Sequence, residues 1–222
     1  AAEVAHKLEA SGEASFAGRL AHYLCEQAAA LTAAGDRQGA TRLLSQAIEN
    51  APQSARPRIQ LAALQRGDGQ DDAALKTFQA LMQAVPGATP LVAVPLAETA
   101  LACNQAAAAL ALLRTSYEQV PALDTMEAIV RLEAASSGDG REGYIRHLEH
   151  EPSLIAAARW IAGEKLEHDQ FHPLVQRALD HAVKPLSRYR CAACGFEAKD
   201  HFWQCPGCQA WDSYPPRRVE EL

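Results

Sequence analysis

Long hydrophobic runs are missing from this sequence of 222 residues. It contains neither a signal-peptide hydrophobic region nor a run of about 18 apolar residues that could span a membrane, so the chain as given is expected to be soluble. The sequence begins with Ala1 rather than methionine, so a longer parent protein could still carry an anchor. Aromatic residues make up only 6%, whereas hydrophobic residues make up 48%. Much of that fraction is alanine, which favours closely packed helices.

Clustered positive charge is also missing. The chain has 21 Lys and Arg against 27 Asp and Glu, a net charge of −6. The segment 184–222 carries six basic and five acidic side chains, so the segment 1–183 carries a net charge of −7. Nucleic-acid binding depends on clustered Lys and Arg that release counterions. The acidic body therefore argues against nucleic acid as the main ligand and favours a protein partner.

Catalytic motifs are missing too, since there is no Gly-rich phosphate loop, no Gly-x-Ser-x-Gly elbow and no paired acid/base motif. The group Glu164, Glu167, His168 and His172 contains histidines at positions i and i+4 but lacks the His-Glu-x-x-His pattern. Pro173 is typical of a helix start, so these histidines are interpreted as helix-end and turn residues. We therefore expect that the chain is not an enzyme.

Internal repetition organises most of the chain. Six pairs of positions match at one constant offset in the numbering, namely Ala28/Ala62, Gly35/Gly69, Ala40/Ala74, Leu44/Phe78, Ala47/Leu81 and Pro52/Pro86. A small residue in a first helix, a glycine turn, an alanine and a large apolar residue in a second helix, and a closing proline form the tetratricopeptide signature. Apolar residues in 40–48 and 74–85 also follow the period of an α-helix.

Later prolines extend the pattern as degenerate repeats. Pro121, Pro152 and Pro185 follow Pro86 at similar but unequal intervals. Because one hairpin buries its apolar stripe only against its neighbours, such units occur in stacks. The predicted fold is an all-α, right-handed tetratricopeptide-repeat superhelix, followed by a small C-terminal zinc-knuckle domain around the two Cys-x-x-Cys pairs within 191–208. The predicted organisation is a remnant of an earlier hairpin at 1–18, an array of about five hairpins at 19–183, a metal-binding domain at 184–215 and a tail at 216–222.

Stacked hairpins of this type form a concave groove that suits an extended peptide or a partner's helix. Candidates to face the groove are Tyr23, Gln27, Arg58 and Glu98. For any single one of them, ordinary solvated helix surface is the favoured interpretation, so the pattern does not single out a contact residue.

The cysteines indicate metal binding. Cys25 and Cys103 are isolated within helical stretches and are interpreted as core or groove residues. The other four form two Cys-x-x-Cys pairs, at Cys191, Cys194, Cys205 and Cys208. Two residues between cysteines allow one tight turn to present both thiolates to one ion, and two such turns make a tetrahedral four-sulfur site.

Four soft thiolates suit Zn²⁺ or a single iron and disfavour Mg²⁺ or Ca²⁺. We predict zinc. Because a closed site has no open position for water or substrate, its expected role is structural: the short segment lacks a sufficient core, and metal binding supplies folding free energy.

Aromatic residues crowd the same segment, at Tyr189, Phe196, Phe202, Trp203, Trp211 and Tyr214. They are expected to cap the metal turns and to form a seam against the last helix. An exposed platform on which bases stack is the alternative, although the local net charge of only +1 counts against it.

The two motifs of this segment, Tyr189-x-Cys-x-x-Cys-Gly-Phe196 and Trp203-x-Cys-Pro-x-Cys-x-x-Trp211, resemble the rubredoxin-type domain that closes the lipopolysaccharide assembly protein B family. The resemblance extends upstream through Ala21–Glu26 and the repeats, and so covers nearly the whole chain. The spacer between the cysteine pairs is shorter than in true rubredoxin, which weakens an electron-transfer role.

The resemblance implies an adaptor that presents the LpxC deacetylase to the membrane protease FtsH and so limits lipopolysaccharide synthesis; other lipopolysaccharide assembly proteins are further candidate partners. It also implies an N-terminal inner-membrane helix in the parent protein, a location on the cytoplasmic side, and a metal domain that packs on the repeats. The four cysteines match the family's motif position by position. A one-electron carrier with iron in the four-sulfur site and a nucleic-acid-binding zinc ribbon remain alternatives.

Overall fold

The computed structural model describes residues 16–164 and 169–222. Within these ranges the chain forms ten α-helices: α1 Phe16–Ala33, α2 Arg37–Asn50, α3 Ala55–Gly67, α4 Asp71–Ala84, α5 Thr89–Ala102, α6 Ala106–Gln119, α7 Leu123–Ser137, α8 Glu142–His150, α9 Leu154–Ala162 and α10 His172–Leu186. Short 3₁₀ turns lie at Pro86–Ala88, Asp169–Phe171 and Val219–Glu221, and two strands at β1 Tyr189–Arg190 and β2 Glu197–Ala198. The predicted helical class is confirmed. Of the predicted remnant at 1–18, only positions 16–18 are described, and they belong to α1.

The chain divides into two compact units, Ala1–Ala88 and Thr89–Leu222. In the first unit, α1 pairs with α2, α3 pairs with α4, and α2 also packs on α3. The repeat positions Ala40 and Ala74 are both 0% exposed, as the repeat alignment predicts for these two positions. Gly35 and Gly69 turn the chain between paired helices with φ of +84° and +70°, a conformation that glycine adopts without steric cost.

The start of α2 shows how local sequence fixes a hairpin. Asp36 is the N-cap, and its Oδ1 accepts a hydrogen bond of 2.8 Å from the Gly39 amide. A Cβ at Gly39 would collide with the Asp36 carboxylate in its present position, so a larger residue there would force the capping side chain to shift. The Arg37 side chain of α2 donates a hydrogen bond of 3.0 Å to the Leu64 carbonyl of α3. This bond connects the first hairpin to the second.

The second unit contains three further helix pairs, α5 with α6, α7 with α8, and α9 with α10. Successive pairs are joined because α6 packs on α7 and α8 packs on α9, while α5 also packs on α7. The core of this unit is mainly apolar, and its largest fully buried apolar side chains are Val92, Leu96, Leu113, Met126, Ile129 and Leu132; the polar His147 and Thr89 are also fully buried. Among the described residues, no helix is both long and apolar enough to span a membrane.

Candidate metal centre

The two Cys-x-x-Cys segments form equivalent turns, one beginning at Cys191 and the other at Cys205. In the first turn the Cys191 amide donates to the Phe196 carbonyl over 2.9 Å. In the second turn the Cys205 amide donates to the Ala210 carbonyl, also over 2.9 Å. Each turn is closed by an antiparallel pairing, Arg190 with Glu197 in the first and the corresponding Gln204 with Trp211 in the second.

One position in each turn adopts the left-handed conformation. It is Gly195 in the first turn, with φ of +78°, and Gln209 in the second, with φ of +61°. The amide of each donates to the carbonyl of the first cysteine of its pair over 2.8 Å. Glycine occupies this conformation readily, whereas a residue with a Cβ is strained there, so the second turn accepts strain to keep the same shape.

These turns bring the four predicted ligands together. All four Sγ atoms lie within 4.8 Å of one another. The Cys191–Cys208 separation is 3.8 Å and the Cys194–Cys205 separation is 3.7 Å. A tetrahedron with metal–sulfur bonds of about 2.3 Å has sulfur–sulfur edges of about 3.8 Å, so the spacing fits one tetrahedral ion.

Polar neighbours favour the thiolate forms of the two buried sulfurs. The Ser213 hydroxyl lies 3.2 Å from the Sγ of Cys191 and lowers the pKa of that thiol to about 6. The Gly207 amide donates to the Sγ of Cys205 over 3.4 Å. Burial opposes ionisation of Cys205, but the amides of Cys208 and Gly207 outweigh it and lower its pKa.

The pKa of the exposed Cys194 is shifted in the opposite direction. The Phe196 amide favours its thiolate, but the neighbouring Cys208 sulfur and desolvation together raise the pKa of Cys194 to about 12. Sulfurs this close cannot all ionise without a counter-charge, because adjacent thiolates repel one another. A divalent cation supplies that charge. The donor set therefore fits a soft divalent metal, while its identity as zinc or iron is not determined by this geometry.

Two aromatic residues form the predicted cap. Tyr189 and Tyr214 are buried in one cluster with Cys191 and Cys205. The Tyr214 hydroxyl donates to the Phe196 carbonyl over 3.2 Å and lies 3.9 Å from the Sγ of Cys205.

His201 lies among these rings. It meets Tyr189 edge-on with centroids 5.5 Å apart and Trp203 at 4.7 Å, and its Nε2 lies 3.0 Å from the Tyr214 carbonyl. Burial lowers the pKa of His201, so the ring is neutral near pH 7.

Two parts of the aromatic prediction need correction. Phe196 and Phe202 are 44% and 38% exposed and do not belong to the buried cluster. The helix residue packed against the cluster is Leu91 of α5, rather than a residue of α10. The contact lies elsewhere because the chain reverses direction after α10. The two cysteine turns, 191–196 and 205–210, which we call the knuckles, therefore pack on earlier helices of the second unit.

Arg218 connects the knuckles to the earlier helices of the second unit. Its guanidinium carbon lies 4.3 Å from the centroid of the Tyr189 ring. The same group donates to Asp124 at the start of α7 over 2.9 and 3.0 Å and to the Ser187 carbonyl over 2.9 Å. Arg218 thus joins the first strand of the metal turns to the first turn of a helix.

Glu220 and Glu221, which follow Arg218 closely in the sequence, accept hydrogen bonds from the N-termini of two helices. The Glu221 carboxylate accepts the amide of Leu123, the first residue of α7, over 2.8 Å. Glu220 accepts the amides of Leu154 and Ile155 in α9 over 3.0 and 3.1 Å. Carboxylates at these positions satisfy amides that have no partner within the helix and complement its dipole.

The sequence prediction missed these contacts because it treated 216–222 as a tail. Residues 215–221 are instead half-buried, and only Leu222 is exposed. The one available signal was the pair Glu220–Glu221 next to Arg218, and such a charge cluster does not reveal a partner far away in the sequence.

The remaining candidates have ordinary structural surroundings. In the first unit Tyr23 and Gln27 are exposed, and Arg58 donates to the Pro52 carbonyl over 2.6 Å. Glu98, in the second unit, pairs with Arg131 at 2.7 Å. Cys25 is fully buried, and burial raises its pKa to about 12.

Two members of the Glu164 group, Glu164 and His172, lie within the described residues, and each has a partner of its own. Glu164 pairs with Arg141 at 3.2 Å, and His172 begins α10 with its Nε2 3.2 Å from the Ile161 carbonyl. Glu167 and His168 lie outside the described residues. Cys103 is half-buried near the end of α5.

Comparison with known proteins agrees with this architecture. The Rubredoxin metal binding domain family matches residues 189–216, and the Tetratricopeptide repeat family matches residues 31–93. Lipopolysaccharide assembly protein B of Escherichia coli strain K12 is 25% identical across 98% of this chain. The chain resembles lipopolysaccharide assembly protein B. The suspected resemblance is thereby confirmed.

The resemblance to lipopolysaccharide assembly protein B is partial in length. The chain spans 58% of the Escherichia coli protein, and it matches the Haemophilus influenzae protein at 25% identity over 81% of this chain and 47% of that one. A solved structure of pilF from Pseudomonas aeruginosa is similar in fold, with a TM-score of 0.50 and 12% identity over 75% of this chain and 77% of that one.

Proposed function

We propose that this chain is a non-enzymatic adaptor in lipopolysaccharide assembly, in which helical hairpins bind partners and a metal-bound knuckle domain completes the second unit. The observation that carries the proposal is similarity to lipopolysaccharide assembly protein B across 98% of the chain, hairpins and cysteine turns included. Hairpin repeats of this type present extended surfaces for other proteins.

The metal in this proposal is one Zn²⁺, held by Cys191, Cys194, Cys205 and Cys208 in a closed structural site. Four thiolates occupy all four positions of a tetrahedral ion, so neither water nor substrate has a place on the metal. When bound, zinc supplies the charge that allows the sulfurs to ionise together. The residues of the chain do the rest: Ser213 and the turn amides bond to the sulfurs, and Tyr189 and Tyr214 cover their buried side.

Metal analysis of anaerobically purified protein tests this assignment. We expect one zinc per chain and no visible absorption band. A reddish thiolate-to-iron band together with a reversible redox couple would instead favour the one-electron carrier and would overturn the structural role.

The finer form of the proposal follows the family resemblance. The parent protein would act at the cytoplasmic side of the inner membrane and promote FtsH-dependent proteolysis of the LpxC deacetylase, without cutting anything itself. Within the second unit, Arg218, Glu220 and Glu221 connect the segment of the metal turns to the N-termini of α7 and α9. A partner that spans the repeats and the knuckles would use such a surface.

Affinity capture with the intact parent protein, followed by identification of bound proteins, tests this form. We expect recovery of the protease or the deacetylase, and a longer deacetylase half-life in cells whose adaptor carries Cys205→Ser. The matched control is Cys103→Ser, which changes a half-buried cysteine outside the knuckles. Recovery of neither protein, with an unchanged half-life, would contradict the adaptor assignment.

A further inference from the structure

Helix α10 differs from the other second helices of the second unit in how little of it is covered. The helix α6 buries Leu113 and Tyr117, and α8 buries Tyr144 and His147. No residue of α10 is fully buried. Leu174 is 55% exposed and Val175 is 42% exposed, unusual values for adjacent aliphatic residues within a helix.

The exposed apolar residues of α10 lie on one face. At about 100° per residue, Leu174, Val175, Ala178 and Ala182 fall within an arc of about 100°. All four are exposed. We call this set the α10 stripe. The half-buried Leu179, Val183 and Leu186 lie on the side of the helix next to it, and α9 is the helix that packs on α10.

The preceding hairpins show what usually covers a second helix. In the second unit α6 is covered by α7, and α8 is covered by α9, each of them the first helix of the following hairpin. Among the described elements, α10 is packed by α9 and by the short turns Asp169–Phe171 and Val219–Glu221. The knuckle segment that follows α10 packs against α5 and α7. Within residues 16–164 and 169–222, therefore, no following first helix packs on α10 as α7 packs on α6.

The charges beside the stripe restrict which helix could fit there. Arg177, His181 and Lys184 follow the stripe around the helix on the side away from Leu179 and Val183, and all three are exposed. Asp180, the acidic residue of α10, lies on the far side and accepts a hydrogen bond of 2.8 Å from Gln176. One edge of the stripe is therefore basic, on a chain whose net charge is −6.

We propose that the α10 stripe is the docking surface for an amphipathic helix of another protein, one whose apolar face is bordered by acidic residues. The apolar faces pack as successive hairpins do, and the acidic border pairs with Arg177 and Lys184. A second copy of α10 in an antiparallel pairing would set basic edges against each other where the two stripes met. An anionic membrane would repel the acidic remainder of the chain. Charge complementarity therefore favours an acidic helical partner.

The test uses the full chain and two synthetic helical peptides, each with a leucine stripe. One peptide carries glutamates beside the stripe, and the other carries lysines at the same positions. Fluorescence anisotropy should show the glutamate peptide binding at least about tenfold more tightly. Equal binding of the two peptides, or no binding of either, would overturn the proposal.

Matched variants separate the two contributions. Val175→Asp should abolish binding of the glutamate peptide, while Val120→Asp should not, because both valines are 42% exposed and only Val175 lies on the stripe. The double variant Arg177→Glu/Lys184→Glu should reverse the preference between the peptides. Arg42→Glu/Lys76→Glu makes the same change in net charge at exposed positions of the first unit and should leave the preference intact.

Other occupants give different results. Sedimentation equilibrium that shows a dimer abolished by Val175→Asp would identify a second copy and overturn the proposal. Binding to phosphatidylglycerol vesicles, with no binding of either peptide, would identify a membrane surface and overturn it as well. Circular dichroism of every variant establishes that the helices have folded.

Discussion

The Arg218 guanidinium and the Asp124 carboxylate, 94 residues apart in sequence, form a two-bond ion pair of 2.9 and 3.0 Å. The Asp124 side chain is 10% exposed and that of Arg218 is 24% exposed. The pair is therefore only weakly screened by solvent, and its fork geometry is specific to arginine. It connects the chain after the knuckles to the start of α7.

Arg218→Ala should destabilise the second unit by about 2–4 kcal/mol, because it leaves the nearly buried Asp124 carboxylate without its partner. Arg218→Lys should recover only part of this loss, since an ammonium cannot make the two parallel bonds. Chemical denaturation measures the change, and Arg217→Ala is the neighbouring control. An Arg218→Ala variant as stable as this control would show that the pair contributes nothing to docking.

Glu220→Ala should destabilise α9 by about 1–2 kcal/mol, because the Leu154 and Ile155 amides lose their acceptor. Glu220→Gln keeps an acceptor oxygen but removes the charge, so its effect should be smaller. The comparison is the midpoint of urea denaturation, with the exposed Glu149→Ala as the control. If alanine and glutamine cost the same, the charge rather than the hydrogen bonds would account for the effect.

His147 should make stability depend on pH. It is 0% exposed, its Nδ1 lies 2.7 Å from the Tyr117 hydroxyl, and burial lowers its pKa below the usual 6.5. Below about pH 6.5 the unfolded chain therefore binds a proton that the folded chain does not, so the free energy of unfolding should fall as the pH decreases. The stability is retained above that pH.

Unfolding curves between pH 8 and pH 5 measure this effect. His147→Asn retains an acceptor for Tyr117 and should show a shallower pH dependence, while the exposed His181→Asn should keep the slope of the unsubstituted protein. An unchanged slope in His147→Asn would assign the dependence to other groups, of which the half-buried His201 has a pKa shifted in the same direction.

Cys205→Ser should release the metal, because a protonated hydroxyl is a poor ligand for a soft ion. We expect residues ~187–215 to unfold while the helices, which bury their own apolar faces, largely persist. Bound metal, far-ultraviolet circular dichroism and partner capture are measured on the same variant, with Cys103→Ser as the control. Full capture without metal would make the knuckles dispensable and place the function in the helical hairpins.

Ala40→Asp and Ala74→Asp should each destabilise the first unit by about 3 kcal/mol or more, because both positions are 0% exposed and a charge there has no partner. The same substitution at the exposed Ala30 of α1 should be nearly neutral. Thermal melting monitored by circular dichroism distinguishes these outcomes. Cooperative melting of both buried variants at the original temperature would refute the repeat register.

The sequence predicted those parts of the fold that repeat or that have a fixed chemical spacing. Ala40 and Ala74 reveal a helix contact because the same small residue recurs at the repeat interval. Cys191 and Cys205 reveal a shared site because two turns of identical spacing present the same soft donors. Periodicity and ligand chemistry are local properties, so both can be detected without knowledge of tertiary contacts.

The attachment of the knuckles could not be predicted in this way. Arg218 meets Asp124, and Glu221 meets Leu123, across a long stretch of sequence and with no repeating pattern. A single charged residue gives no sign of its distant partner. The exposure of Leu174 and Val175 was equally hidden, because an apolar stripe on a helix looks the same in sequence whether or not another helix covers it.

The capping of α7 and α9 by Glu221 and Glu220 has a consequence for biosynthesis. Translation proceeds from the N-terminus, so both helices are made before the carboxylates that complete them. Until those residues leave the ribosome, the first amides of α7 and α9 must bond to water. A product truncated before Arg218 would therefore carry two incompletely capped helices and a metal domain without its ion pair to Asp124, and we expect proteases to cleave it faster than the longer chain.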